Sequence, residues 1–183
     1  MQFRYLLIVV LCSSLCRTSY GDQEVRRQIV LSRPYLVIPI ENKAEACPVT
    51  ISLGDERLAC VTIELARDKV DFWTFVDLGE NTGSTVTISA RNPPSGFHEI
   101  RSSDDIPGAD NLYHEKYRPQ FHFSSKRGRM NDANGLVYYK GEYHLFYQHN
   151  PYGIRWSNMT WGHAISTNLV HWEELPAAIH PDT

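Results

Sequence analysis

The sequence predicts an all-β protein, and two observations carry that prediction. Between Gln28 and Arg101 the apolar and polar residues alternate with a period of two, which is typical of half-buried strands. From Leu112 onward, short aromatic-rich runs alternate with turn residues. Neither region shows a sustained helical period. We therefore expect a β-sandwich-like N-terminal module followed by a second antiparallel sheet.

The strands of the N-terminal region follow from its alternation. Val61, Ile63 and Leu65 are expected to face one way, whereas Thr62 and Glu64 face the other. Val86 and Ile88 alternate with polar neighbours in the same manner. Further strands are expected near residues 35–40, 49–53 and 72–77, separated by turns at 54–55, 79–83 and 92–96.

Four strands are also expected in the C-terminal region. Leu136–Tyr139 and Tyr143–Gln148 are predicted to form a hairpin around residues 140–142. Thr160–Ser166 and Leu169–Glu173 are predicted to form a second pair around the turn at Thr167. Four antiparallel strands in about 50 residues match one blade of a β-propeller. Because one blade cannot cover both of its faces, this region is not expected to fold stably alone.

The composition excludes several classes of protein. A chain with 42% hydrophobic and 21% charged residues is neither disordered nor collagenous. Its 18 basic and 21 acidic side chains give a net charge of −3. This balance argues against electrostatic binding to nucleic acid or to an anionic membrane.

Residues 1–21 are interpreted as a signal peptide. Arg4 precedes the apolar run Tyr5–Leu15, and Ser19 and Gly21 are small residues suited to cleavage after residue 21. The run is too short to span a membrane, which takes roughly 20 apolar residues. The protein is therefore expected to be secreted or periplasmic. The alternative interpretations of this segment are a lipid-anchor signal and a buried N-terminal strand.

The cysteines and the polar segments complete the predicted organisation. Removal of the signal peptide leaves Cys47 and Cys60, which are interpreted either as a disulfide or as two buried free thiols. The polar run Ser102–Asn111 is typical of a linker. The expected domains are a signal peptide at 1–21, a β-rich module at 28–105, a linker at 106–111 and a second domain at 112–183.

Several motifs in the second domain are shared with a known family. They are YRPQFHF at 117–123, MNDANGLVY at 130–138, EYHLFYQHNP at 142–151, WGHA at 161–164 and LVHW at 169–172. In this order and spacing they closely resemble the start of the catalytic domain of glycoside hydrolase family 32. That family contains levanases, inulinases and invertases. Residues 29–105 also resemble the β-rich module that precedes this domain in some bacterial levanases.

The resemblance implies a fold, a reaction and four site residues. The family fold is a five-bladed β-propeller, and its enzymes hydrolyse β-fructofuranosidic bonds in levan, inulin or sucrose with retention, using two carboxyl groups. Asp132 occupies the position of the family nucleophile. Asn131, Gln148 and Trp156 fall where the family contacts the bound fructose. Without the resemblance, Asn131–Gly135 would be interpreted as a turn, Gln148 as a strand end and Trp156 as a core residue.

The sequence also departs from the family pattern. The family's Arg-Asp-Pro motif and its Glu-Cys pair, which supplies the acid/base, do not follow Asp132, so this chain offers no acid/base residue. The chain is therefore interpreted as the N-terminal piece of a truncated propeller enzyme, expected to be inactive alone. Arg129 stands where the family has Trp, and Ala133 where it has Pro. Arg129 is expected to place a cation beside Asp132.

Other residues are given structural roles. All eight histidines lie between His98 and His180, but no ligand spacing is recognisable, so no metal or cofactor is predicted. His163 and His171 are interpreted as structural, and Glu173 and Glu174 as solvated residues at a strand end. Asn158-Met159-Thr160 matches an N-glycosylation sequon, unused in a bacterial source. The competing functions are a non-enzymatic fructan-binding module and a decayed gene product.

Overall fold

Eleven strands make up the part of the chain that the computed structural model describes, residues 23–181. The predicted signal peptide lies outside the described residues. The strands are β1 (Glu24–Val30), β2 (Tyr35–Ile40), β3 (Cys47–Leu53), β4 (Glu56–Ile63), β5 (Phe72–Asp77), β6 (Thr85–Arg91), β7 (Arg101–Ser103), β8 (Arg129–Tyr139), β9 (Glu142–Asn150), β10 (Thr160–Ser166) and β11 (Glu173–Ile179). Between residues 23 and 181 the only helices are short 3₁₀ turns at Gly79–Asn81, Ser95–Glu99 and Ala109–Asn111, and none is long and apolar enough to cross a membrane.

The first seven strands form two antiparallel sheets that share one core. One sheet has the order β1-β6-β3-β4, and the other has the order β5-β2-β7. Every second residue of β6, from Val86 to Ala90, is buried against Leu36 and Ile38 of β2 and their neighbours. This arrangement confirms the sandwich-like module expected from the period-two pattern.

Three details of the module differ from the sequence-based prediction. The first strand begins at Glu24, ahead of the region where the alternation is recognisable. Ser102 and Ser103, the start of the polar run that is typical of a linker, instead pair with β2 as part of β7. Glu64 is buried along with its apolar neighbours, because its carboxylate meets partners from other parts of the chain.

The two described cysteines are free thiols rather than a disulfide, but the alternative of two buried thiols holds for Cys47 alone. β3 and β4 pair so that Cys47 lies opposite Ile63 and Cys60 lies opposite Thr50. Cys47 is buried in the core and Cys60 is exposed, so the two side chains lie on different faces of the sheet. Burial raises the pKa of the Cys47 thiol.

The last four strands form a separate antiparallel sheet in the order β11-β10-β9-β8. The predicted hairpin is confirmed: β8 and β9 are joined by Lys140 and Gly141, both with positive φ (51° and 92°). Two such residues form the primed turn whose twist matches that of the flanking strands. Each strand pairs with its neighbour in sequence, as in a propeller blade.

The fourth strand of this sheet was predicted in the wrong place. Residues 169–172 form a loop, and β11 runs from Glu173. The hydroxyl of Ser166 accepts backbone N–H bonds from Asn168 and Leu169, and the Asn168 side-chain oxygen accepts from Val170 and His171. These local bonds compete with strand pairing, so the apolar pattern LVHW does not form a strand.

The strands of this sheet differ in burial: β9 and β10 carry its buried residues, whereas the edge strand β8 is mostly exposed. On one face Tyr147 is fully buried against Leu145 and Ala164, and Phe123, Met130 and Trp172 pack around them. Gly162 lies directly beside the Tyr147 ring, where any side chain would overlap it. At the end of the sheet, Leu136 is 74% exposed and Tyr138 is 62% exposed. The sheet therefore leaves considerable apolar surface without cover, as expected for a single blade.

Candidate active site

Two irregularities in β8 shape the site predicted from the sequence. Asn131 pairs with Gln148, Ala133 with Tyr147 and Gly135 with Phe146, so Asp132 and Asn134 lack partners in β9. Each is the extra residue of a β-bulge. A bulge bends its strand and redirects a side chain, and bulges are frequent beside active sites. The NDANG sequence is therefore a strand interrupted twice, rather than the turn that these residue types would form in isolation.

Asn131 and Gln148 lie together on one face of the sheet. The Asn131 side-chain nitrogen donates to the Gln148 side-chain oxygen across 3.4 Å. Gln148 in turn lies opposite Trp161 in β10, so the three residues form a row across β8, β9 and β10. The Trp161 indole N–H donates to the second bulge residue, Asn134, at 2.6 Å. Amide groups in such a row offer both donors and acceptors to a hydroxyl-rich ligand.

Asp132 is exposed at the first bulge. Within residues 23–181, its carboxylate has no hydrogen bond or ion pair. The carboxylate is thus adjacent in sequence to the Asn131–Gln148 pair but is not held by it. Both of its oxygens remain available to a ligand, as a nucleophile requires.

Trp156 lies in the loop between β9 and β10 and is 60% exposed. The Arg129 guanidinium carbon lies 5.7 Å from the centroid of the Trp156 ring, and Arg129 donates to the Ile154 carbonyl at 3.4 Å. The cation expected beside Asp132 forms no ion pair with its carboxylate among the described residues. The guanidinium is engaged by an aromatic face, which attracts a cation within about 6 Å.

A stacked aromatic row on β9 and β10 was missed by sequence reasoning. Phe146 stacks between Trp161 and His163, with ring centroids 4.6 Å and 4.4 Å away. The His144 Nδ1 and His163 Nε2 atoms are 3.0 Å apart, so one ring donates to the other. Burial, and secondarily the neighbouring His144, lowers the pKa of His163. The register of the hairpin is needed to bring these histidines together, and the sequence spacing alone does not reveal it.

The other candidate groups do not join the site. Within residues 23–181, no group of three or more His, Cys, Asp or Glu side chains has a metal-binding arrangement. Glu174 is the second residue of β11 rather than the end of a strand, and its carboxylate accepts the backbone N–H of Lys126 at 2.7 Å. It is thus partly buried by a structural contact, contrary to the prediction that both members of the Glu173–Glu174 pair are solvated.

The motifs around Asp132 are those of a recognised family. Residues 122–183 match the family model described as the Glycosyl hydrolases family 32 N-terminal domain. This part of the chain is similar to the N-terminal domain of glycoside hydrolase family 32. The resemblance stated from the motifs is confirmed, and so is the fold class: a sandwich-like module followed by a blade of the family 32 propeller.

Three relatives illustrate the match. A levanase from Bacillus subtilis (strain 168) is 60% identical over 75 residues, which are 40% of this chain and 11% of the levanase. An extracellular exo-inulinase from Aspergillus awamori is 58% identical over 67 residues, 37% of this chain and 12% of the inulinase. A fructan beta-fructosidase from Streptococcus mutans serotype c is 44% identical over 181 residues, and this match covers 91% of the chain, the sandwich-like module included, and 12% of the relative. The chain thus spans about an eighth of the length of these relatives.

Proposed function

We propose that this chain is part of a secreted fructan hydrolase that cleaves β-fructofuranosidic bonds with retention, and that Asp132 is its nucleophile. The observation that carries the proposal is the bulge at Asp132, which leaves an unpartnered carboxylate beside a row of amide side chains. The family 32 match and the relatives, named as a levanase, an inulinase and a fructosidase, support the substrate class. The name of the Aspergillus relative and the signal-peptide pattern support secretion.

In the proposed reaction the Asp132 carboxylate attacks the anomeric carbon of a fructosyl unit. The bond to the leaving oxygen breaks as the new carbon–oxygen bond forms, and a second carboxyl group protonates that oxygen. Water then hydrolyses the fructosyl-enzyme, with the second group acting as base. Asn131 and Gln148 bind sugar hydroxyls, and the Trp156 ring contacts the apolar face of the sugar.

The proposed reaction also needs a second carboxyl group that acts as acid and base, and the family motifs that would supply it are not found in these 183 residues. The 183 residues contain no Glu-Cys pair and no Arg-Asp-Pro sequence after Asp132. General acid–base assistance contributes about 10²–10⁴-fold to such reactions. We therefore expect the purified chain alone to release no fructose from levan, inulin or sucrose above the uncatalysed background. Measurable release by a sugar assay would show that another carboxylate of this chain supplies the proton.

The nucleophile is tested in a hybrid enzyme. The matching segment of the Bacillus levanase is replaced by that of this chain, and Asp132→Asn is made in the hybrid. This change keeps the size of the side chain and removes its charge, so the protein should fold while activity falls on the order of 10³-fold or more. Fructose release from levan is the measurement.

Glu173→Gln in the same hybrid is the matched control. Glu173 is an exposed carboxylate of the same sheet, and its neutralisation should leave activity nearly unchanged. Activity of the Asp132→Asn hybrid within tenfold of its parent would reject Asp132 as nucleophile. A large loss of activity in Glu173→Gln would instead indicate that the reacting carboxylate lies on β11.

A further inference from the structure

The loop that carries Trp156, residues 151–159, contacts the N-terminal module. The first of these contacts is at the start of the loop. The Thr74 hydroxyl of β5 donates to the Pro151 carbonyl at 3.1 Å. The next residue, Tyr152, packs against the core of the sandwich. Thr74 itself is fully buried, so this contact is part of the folded interior rather than a surface encounter.

A buried carboxylate of the module holds the middle of the loop. Glu64 is 4% exposed, and its Oε1 atom accepts both the Arg155 Nε–H at 2.6 Å and the Lys43 backbone N–H at 2.9 Å. Arg155 also donates to the Ala44 carbonyl at 2.8 Å. A charge that has lost its water needs such partners, so the buried Glu64 carboxylate depends on Arg155, whose own side chain is 48% exposed.

Asn158 connects the end of the loop to β4 of the module. Its side-chain oxygen accepts the backbone N–H of Thr62 at 2.8 Å, and its side-chain nitrogen donates to the Thr62 carbonyl at 2.8 Å. The amide thereby satisfies both polar groups of one residue of β4, as a neighbouring strand would. Asn158 has φ of 49°, a conformation that Asn tolerates better than most residues.

Trp156 lies between these fastenings, flanked by Arg155 and two residues from Asn158. We propose that the N-terminal module positions Trp156 for sugar binding, with Asn158 and Arg155 as positioning residues that act through contacts to Thr62 and Glu64. The inference rests on the sugar-binding role proposed above for Trp156, and it gives the sandwich-like module a part in that site. Without the contacts, the loop would sample many conformations, and affinity would fall in proportion to the fraction with Trp156 in place.

The test uses the 183-residue chain and the variant Asn158→Gly. Because glycine accepts positive φ without strain, this change removes the side-chain contacts and leaves the backbone conformation possible. The Trp156 indole N–H signal is followed by NMR, assigned with Trp156→Phe, and levan oligosaccharides are the titrant. We expect Asn158→Gly to shift or broaden the signal and to weaken oligosaccharide binding about tenfold.

Lys140→Gly is the matched control, since Lys140 also has positive φ, 51°, but lies in the β8–β9 turn. It should change neither readout. Glu64→Gln provides a second variant: it keeps an oxygen for the Lys43 N–H but removes the charge facing Arg155, and it should move the same indole signal.

The outcomes separate the two proposals. An unchanged indole signal and unchanged affinity in both Asn158→Gly and Glu64→Gln would overturn the positioning role. If the wild-type chain shows no saturable binding, or if Trp156→Ala binds as well as wild type, the sugar role of Trp156 fails. The indole signal then still reports whether the module holds the loop.

Discussion

The N-terminal module and the C-terminal blade are both antiparallel sheets, yet they bury their side chains very differently. In the module two sheets cover each other, and Leu36 in β2 is fully buried. In the blade one sheet stands alone, and Leu136 in β8 is 74% exposed. The buried hydrophobic cluster of the blade consists of Leu145, Tyr147 and Ala164.

The comparison shows that a sheet can pair its strands without forming a hydrophobic core. The blade has ladders between all neighbouring strands, interrupted only at bulges such as those of β8, and a well-formed primed turn. Net stability nevertheless depends mainly on apolar area removed from water, about 25 cal/mol per Å². The module gains that area from its own two sheets, whereas the blade has only the sandwich-like module on one side to supply it.

The largest effect is expected when the two regions are separated. A piece spanning residues 23–105 should keep slow amide exchange in β2, β3 and β6, because its core is internal. A piece spanning residues 112–183 should lose nearly all protection, because one uncovered sheet is marginal in water. Hydrogen exchange followed by mass spectrometry measures both. Strong protection of the amides in the isolated C-terminal piece would show that the blade folds without the module, contrary to this prediction.

Substitutions of two leucines, one in each region, test the same difference in burial at single positions. Leu36→Ala should lower the free energy of unfolding of the module by about 2–5 kcal/mol, the usual cost of a cavity at a fully buried leucine. Leu136→Ala, at an exposed site, should change the stability of the blade by less than about 0.5 kcal/mol. Urea titrations followed by exchange of the amides in each region give both values. Similar losses at the two sites would mean that Leu136 is covered in solution, for instance by a second copy of the chain.

A smaller, pH-dependent effect should appear in the blade alone. Burial and the neighbouring His144 hold the pKa of His163 below its ordinary value of 6.5. The unfolded chain therefore takes up a proton near pH 6.5 while the folded blade resists it. The contribution of His163 to stability is full above the unfolded pKa and declines as pH falls toward the lower folded pKa.

The measurement is the urea midpoint of the blade at about pH 7.5 and about pH 5.5. His163→Asn should reduce the difference between the two midpoints. His98→Asn is the control, because His98 is an exposed histidine in the N-terminal module. An equal change in both variants would assign the pH dependence to general charge effects rather than to the His144–His163 contact.

Much of the fold could be predicted from residue patterns, and the exceptions have local causes. Strands β5 and β10 coincide with the predicted ranges because alternation and turn residues agree there. The strand expected at 169–172 failed because Ser166 and Asn168 bind the backbone of the following loop. β7 is only three residues long, too short for a period to be recognised.

The sequence names the candidate site residues but does not predict their geometry. The family motifs indicated Asp132, Asn131, Gln148 and Trp156, and their catalytic and binding roles stay predictions. The bulges that leave Asp132 unpaired arise from the register with β9, which no single segment encodes. The contacts of Asn158 and Arg155 join residues more than 90 positions apart in sequence, a separation at which local patterns carry no information.

The fastening of the loop at Asn158 bears on how the protein should be produced. In a secretory eukaryotic host the Asn158-Met159-Thr160 sequon is a potential acceptor, and an N-linked glycan would be attached to the nitrogen that donates to Thr62. Removing the sequon at its other end is not harmless either, since the Thr160 hydroxyl is buried and donates to the His149 carbonyl at 3.0 Å. We therefore expect preparations from yeast or insect cells to contain glycosylated molecules in which Asn158 no longer contacts Thr62, a heterogeneity that bacterial expression avoids.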